Sequence, residues 1–151
     1  MEQIAVIGTG YVGLVSGTCF AEVGNHVICC DIDEQKIAQL RAGHIPIYEP
    51  GLKELVDSNV QAERLTFTTD IAAAIQRAHI VYIAVGTPML SDGNADLRYV
   101  KDVARMIGEN LDEYKVVVIK STVPVGTAKL VKRIISSISP HVPFDVVSNP
   151  E

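Results

Sequence analysis

Ile4-Ala5-Val6-Ile7-Gly8-Thr9-Gly10-Tyr11-Val12-Gly13 decides the architecture: an apolar strand runs straight into a glycine-rich turn, and the turn opens a helix. The three glycines have separable roles. Gly8 permits the tight turn out of the strand, Gly10 removes a side chain where phosphates must approach, and Gly13 lets the helix pack closely on the sheet. A helix starting near Tyr11 aims its first-turn amides and positive dipole end at the same point, so no basic side chain is needed there. With Tyr11 and Val12, these glycines form a candidate pyrophosphate turn.

A G-x-G-x-x-G alone also arises wherever small residues pack a helix on a strand, so its surroundings carry the weight. Leu14, Val15, Cys19, Phe20 and Val23 continue an apolar helical stretch, and Gly24-Asn25 supplies its stop. Val27-Ile28-Cys29-Cys30 reads as a second buried strand. Asp31 ends it, about 20 residues after the glycines, where the dinucleotide fingerprint places an acid for the ribose hydroxyls. Capping of the next helix is the competing role for Asp31, but Asp33 lies immediately before the helical stretch Glu34 to Arg41 and is the better cap. Asp31 is therefore assigned to the adenosine ribose. A carboxylate there repels a 2′-phosphate, so NAD is favoured over NADP. Lys36 either reaches the same ribose or is a solvated surface lysine.

Outward from this unit, strand-like runs recur at Leu65 to Thr68, Ile80 to Val85, Val116 to Ile119 and Phe144 to Val147. Helical stretches lie at Leu52 to Ser58, Ile71 to Arg77, Leu97 to Asn110 and Thr127 to Ser137. The alternation predicts an α/β chain: a Rossmann-type, doubly wound, mainly parallel six-stranded sheet with helices on both faces. Residues 1–151 read as one domain, without short repeats, low-complexity segments or a linker.

Composition narrows the function classes. Hydrophobic residues make up 48% of the 151 residues and charged ones 21%, which suits a soluble domain with a real core. A formal net charge of -5 leaves no electrostatic footprint for nucleic acid or an anionic membrane. No apolar run reaches spanning length and the amino terminus enters a strand directly, so neither a membrane segment nor a signal peptide is expected, and a cytoplasmic location is. Cys19, Cys29 and Cys30 lack metal or redox spacing and are expected to be small buried hydrophobes.

In a doubly wound sheet the ligand lies across the carboxyl ends of the strands. Three loops should share that rim: Gly86-Thr87-Pro88-Met89, Lys120 through Thr127, and Ser148-Asn149-Pro150-Glu151. Position alone leaves Thr87 and Thr122 open between ligand contact and turn chemistry, with Gly126-Thr127 available to cap the next helix.

Five linked segments decide more than spacing does: Gly8 to Leu14, Pro46-Ile47-Tyr48-Glu49-Pro50-Gly51-Leu52, Val85-Gly86-Thr87-Pro88, Lys120 to Thr127, and Ser148 to Glu151. Through them the chain resembles, over its whole length, the amino-terminal domain of the UDP-glucose dehydrogenase family within the wider UDP-glucose/GDP-mannose dehydrogenase group. The resemblance implies oxidation of the C6 alcohol of a nucleotide sugar to a carboxylate by two hydride transfers to two successive NAD molecules, through a cysteine-bound thioester. It implies that Gly8, Gly10, Tyr11, Val12 and Gly13 form the pyrophosphate turn and that Asp31 and Lys36 hold the adenosine ribose. Thr87 falls beside the nicotinamide half, Thr122 near the reacting carbon and its water, and Glu151 at the acid/base of the thioester step. No metal is implied. The family's linking helix and nucleotide-sugar domain, which carry the cysteine nucleophile, have no counterpart in these residues. A truncated chain or isolated domain that binds NAD without turning over UDP-glucose is therefore expected, with its oligomeric state open. GDP-mannose or an N-acetylated UDP-sugar is the alternative substrate, and a non-catalytic NAD-binding module the alternative class. The Pro46 to Leu52 segment is expected to be a packed, rigid turn with a structural role.

Overall fold

The computed structural model describes residues 1–150, so Glu151 lies outside the described residues. Six strands form one sheet: β1 (Gln3–Ile7), β2 (His26–Cys30), β3 (Leu65–Thr68), β4 (Ile80–Ile83), β5 (Lys115–Ile119) and β6 (Phe144–Ser148). Their order is β3-β2-β1-β4-β5-β6, and every neighbouring pair is parallel. Parallel pairing demands crossovers, which helices α1 (Tyr11–Glu22), α2 (Glu34–Arg41), α3 (Leu52–Gln61), α4 (Ile71–Arg77), α5 (Arg98–Glu109) and α6 (Thr127–Ile138) supply. This is the doubly wound arrangement expected from the sequence.

The central strands are apolar on both sides because both sides are covered. Along β1, Ala5 and Ile7 enter the core shared with α4, α5 and α6, while Ile4 and Val6 enter the core shared with α1, α2 and α3. Cys29 and Cys30 likewise fall on opposite faces, both buried. Burial pushes the Cys29 thiol up to about 12, and burial followed by the charges of Cys29, Asp31 and Asp70 raises Cys30 further, so both remain protonated and inert. Cys19 corrects the expectation. It is exposed, because its position on α1 turns away from the face that carries Leu14, Gly17, Thr18 and Ala21 onto the sheet.

Local signals mostly act as read. Asp33 caps α2 by accepting the Lys36 amide at 3.1 Å, and Gly24 at φ 103° lets its own amide close onto Ala21 and that of Asn25 onto Phe20, ending α1. Two details differ. Strand β4 stops at Ile83, two residues short of Val85, where the chain crosses directly over Gly8. Thr127 does not cap α6: Gly126, at φ 92°, occupies that place, and the Thr127 hydroxyl donates to the Pro124 carbonyl.

Candidate dinucleotide site

The strand order reverses between β1 and β4, so the chains leaving these two strands diverge and open a crevice. Its volume is about 660 Å³. The Gly8–Val12 turn forms its floor, Asp31–Asp33 and Lys36 one end, Ala84–Gly86 and Lys120–Thr122 the other, and α5 a side wall.

A Cβ on Gly8 would lie 2.5 Å from the Ala84 carbonyl oxygen, and its φ of 108° disfavours any L side chain. A Cβ on Gly13 would collide with the Gly8 carbonyl oxygen, so close approach of α1 to the turn is what requires this glycine. Around Gly10 a Cβ would meet nothing within 4 Å, and the residue lines the crevice. The fold thus requires Gly8 and Gly13 but leaves Gly10 bare beside open space. Gly10 is also the N-cap of α1 and makes no side-chain cap. The space and polarity fit a diphosphate seated on a helix N-terminus.

Asp31 is held, not merely present. Its Oδ2 accepts the Thr9 hydroxyl at 2.7 Å and the Thr9 amide at 3.0 Å, and its Oδ1 accepts the Asp33 amide at 3.1 Å. Lys36 Nζ lies 3.7 Å from Oδ2. Burial raises the carboxyl's pKa, but the Thr9 and Asp33 hydrogen bonds and the Lys36 charge outweigh it, leaving it below the ordinary carboxylate range. A carboxylate oxygen takes more than one hydrogen bond, so a fixed, ionised acceptor remains for a diol. Thr9, 1% exposed, holds this carboxylate, a role that the sequence expectations did not include. Its signal was the hydroxyl in the x position of Gly-x-Gly.

A depressed folded pKa means that Asp31 contributes stability above its unfolded value of about 4 and loses it as pH falls through the lower folded value. Dinucleotide affinity should therefore show no Asp31-linked change between about pH 5 and 8 and decline only below about pH 4, a profile that titration calorimetry measures.

At the other end, the rim loops are stitched together. Thr87 Oγ1 donates to the Thr122 carbonyl at 2.8 Å, Ser121 Oγ donates to the Val85 carbonyl at 2.6 Å, the Asn149 amide donates to the Ile119 carbonyl, and Lys120 Nζ donates to Asn149 Oδ1 at 3.3 Å. The structure therefore brings Thr87 and Thr122 together and sets Thr122 in the crevice wall. On α5, Tyr99, Val103 and Met106 share the crevice face at helical spacing, a face the sequence reading left unassigned. Among the described residues no cluster of His, Cys, Asp or Glu suits a metal ion, and no helix is long and apolar enough to cross a membrane.

A switch-point crevice floored by a bare glycine, a helix N-terminus and a locked strand-end carboxylate defines a Rossmann dinucleotide-binding domain. Comparison with known proteins narrows the class. Residues 2–151 match the UDP-glucose/GDP-mannose dehydrogenase family, NAD binding domain, and the chain belongs to that family. It is 66% identical over 152 residues to UDP-glucose 6-dehydrogenase TuaD of Bacillus subtilis, covering 100% of this chain and 33% of that protein. It is 55% identical to a UDP-glucose 6-dehydrogenase of Rhizobium meliloti, covering 99% of this chain and 34% of that protein. Among solved structures, a UDP-glucose dehydrogenase from Pyrobaculum islandicum superposes with a TM-score of 0.95 at 41% identity, over 100% of this chain and 36% of that one. The chain thus spans about a third of the length of the curated relatives it matches.

Proposed function

We propose that this chain is the cofactor-binding portion of a nucleotide-sugar 6-dehydrogenase that oxidises UDP-glucose to UDP-glucuronate with two NAD, in the cytoplasm. The observation that carries the reading is the bare Gly10 beside the locked Asp31 in a chain 66% identical to a UDP-glucose 6-dehydrogenase. Bound NAD supplies the hydride acceptor. Gly8, Gly10, Tyr11 and Val12 would seat the diphosphate, with Gly13 holding α1 close against that turn, Asp31 and Lys36 would hold the adenosine ribose, and Thr87 and Thr122 the nicotinamide end.

Thr122 suits the reacting end because a hydroxyl donates and accepts without a charge that opposes hydride departure. Glu151 is assigned the acid/base role by family resemblance. The sugar-binding residues and the cysteine nucleophile belong to a further portion of such an enzyme. A GDP-mannose dehydrogenase from Pseudomonas aeruginosa shares this fold at a TM-score of 0.94 but at 37% identity, against 66% to a UDP-glucose 6-dehydrogenase, which supports UDP-glucose over GDP-mannose. An exposed, unpaired Cys19 thiol accords with a reducing compartment.

Titration calorimetry with NAD, NADP and UDP-glucose tests the reading: NAD should bind this chain, NADP more weakly, and UDP-glucose not at all, with no turnover. Substituting Asp31 by alanine should weaken NAD by about 1 to 3 kcal/mol. It should also narrow the preference over NADP, since Lys36 then faces the 2′ position without its carboxylate. Gly10→Val is the complementary variant. With nothing within 4 Å of an added Cβ, the unfolding midpoint should stay within a few degrees of the parent, while NAD affinity falls at least about tenfold because the diphosphate loses its space. NAD binding undiminished in both variants would overturn the assignment.

A further inference from the structure

The segment Pro46-Ile47-Tyr48-Glu49-Pro50-Gly51-Leu52 is the one sequence motif to which the cofactor geometry above assigns no task. Its expected packing is only half right. Tyr48 is 91% exposed, whereas Ile45 and Ile47 rest on the core shared with α1, α2 and α3 and Leu52 is buried in it. Between these anchors the chain makes a fixed turn. The Leu52 amide donates to the Glu49 carbonyl at 3.1 Å, Pro50 fixes its own φ, and Gly51 takes φ 82°. Glu49 therefore sits at the crest of a loop tethered on both sides, and its Oε2 accepts the Tyr11 phenol at 2.8 Å across 38 residues of sequence.

Tyr11 is the first residue of α1 and lines the crevice beside Gly10, so its ring stands at the edge of the space where the diphosphate would sit. An aromatic ring half in solvent at a helix start samples several rotamers unless something holds its far end. From this arrangement the geometry points to Glu49 as a positioning residue for the cofactor site: it fixes the Tyr11 ring as a side wall of the diphosphate crevice. Glu49 itself does not touch the cofactor, and its charge would oppose the phosphates if it did. The rigid turn gives the motif its purpose, since an acceptor on a mobile loop would fix nothing. This inference rests on the proposed NAD site and names the side chain that shapes it.

A double-mutant cycle on this chain tests it, with NAD affinity read by calorimetry and the ligand-free unfolding midpoint read in parallel. Glu49→Ala and Tyr11→Phe should each weaken NAD about fivefold, the scale of one hydrogen bond, and the double variant should also lose about fivefold rather than about 25-fold. Glu49→Gln keeps an oxygen for the phenol and should return NAD affinity to within about twofold of the parent. The ligand-free midpoints should agree for all four variants, as the bond is solvent-exposed. Multiplying losses, an unchanged affinity in Glu49→Ala, or a Glu49→Gln loss equal to that of Glu49→Ala would overturn the inference while leaving NAD binding intact. A parent chain that binds no NAD would instead overturn the proposed function, and this inference with it.

Discussion

Replacing Gly13 by alanine is expected to destabilise the fold by about 3 kcal/mol, the upper end of overpacking costs, and to lower the unfolding midpoint by roughly 10 °C. The added methyl would collide with the Gly8 carbonyl oxygen, a backbone atom that cannot swing aside. Relief requires α1 to lift from the turn, and α1 lies over β1, β2 and α3, so the displacement would be felt through the core shared with α1, α2 and α3. The Ala84 side chain, 3.3 Å from the same methyl, narrows the escape further. Urea unfolding followed by circular dichroism would measure the change. A Gly13→Ala protein with the parent's midpoint would mean that the helix stands off the turn. The contrast with Gly10→Val is the informative part: two glycines of one motif, three residues apart, should fail in different assays, one in folding and the other in binding.

The second large effect is expected far from the crevice. Lys115 opens β5 at the amino end of the sheet with a fully buried side chain, and its Nζ donates to the carbonyls of Ala78 at 2.7 Å and Gln76 at 3.2 Å. These carbonyls lie at the C-terminus of α4, where a cation satisfies both the unpaired acceptors and the negative end of the helix dipole. Asp112, at 3.2 Å, and Glu113, at 3.9 Å, balance the charge from a more exposed position. Lys115→Ala should cost about 3 kcal/mol, because it strands buried carbonyls and leaves a cavity where the stem lay. Lys115→Met refills the stem without the donors and should recover only part of that. NAD affinity of the folded variant should be unchanged, as the cofactor rim is at the opposite ends of the strands. Chemical denaturation of the three proteins would show the order parent, Met, Ala.

Neither the buried lysine nor the threonine behind Asp31 was legible before the fold was known. A lysine heading the apolar run Val116-Val117-Val118-Ile119 reads as a solvated strand end, and nothing local says that two α4 carbonyls approach from 37 and 39 residues away. Thr9 reads as filler between two glycines until β2 is laid beside β1, in register from Gln3 and His26 to Ile7 and Cys30, bringing Asp31 level with the turn. Cys19 failed in the other direction, as an apolar residue type on a helical stretch whose face the sequence did not settle. The Pro46 to Leu52 segment was recognisable as a turn, but the partner of its glutamate was not. Cys19 apart, each of these concerns a contact between residues distant in the chain.

The amino-acid order alone determined the strand and helix alternation, the turn carrying Gly8, Gly10 and Gly13, and the acid at the end of the second strand. These depend on local physics: backbone freedom at glycine, alternating burial, capping, and fixed chain separations. The tertiary structure decided which glycines the packing requires and which one it leaves bare beside the crevice, what locks the Asp31 carboxylate, and how the Thr87 and Thr122 loops join one rim. Those depend on distances across the sheet, which exist only once the strands have taken their order and register.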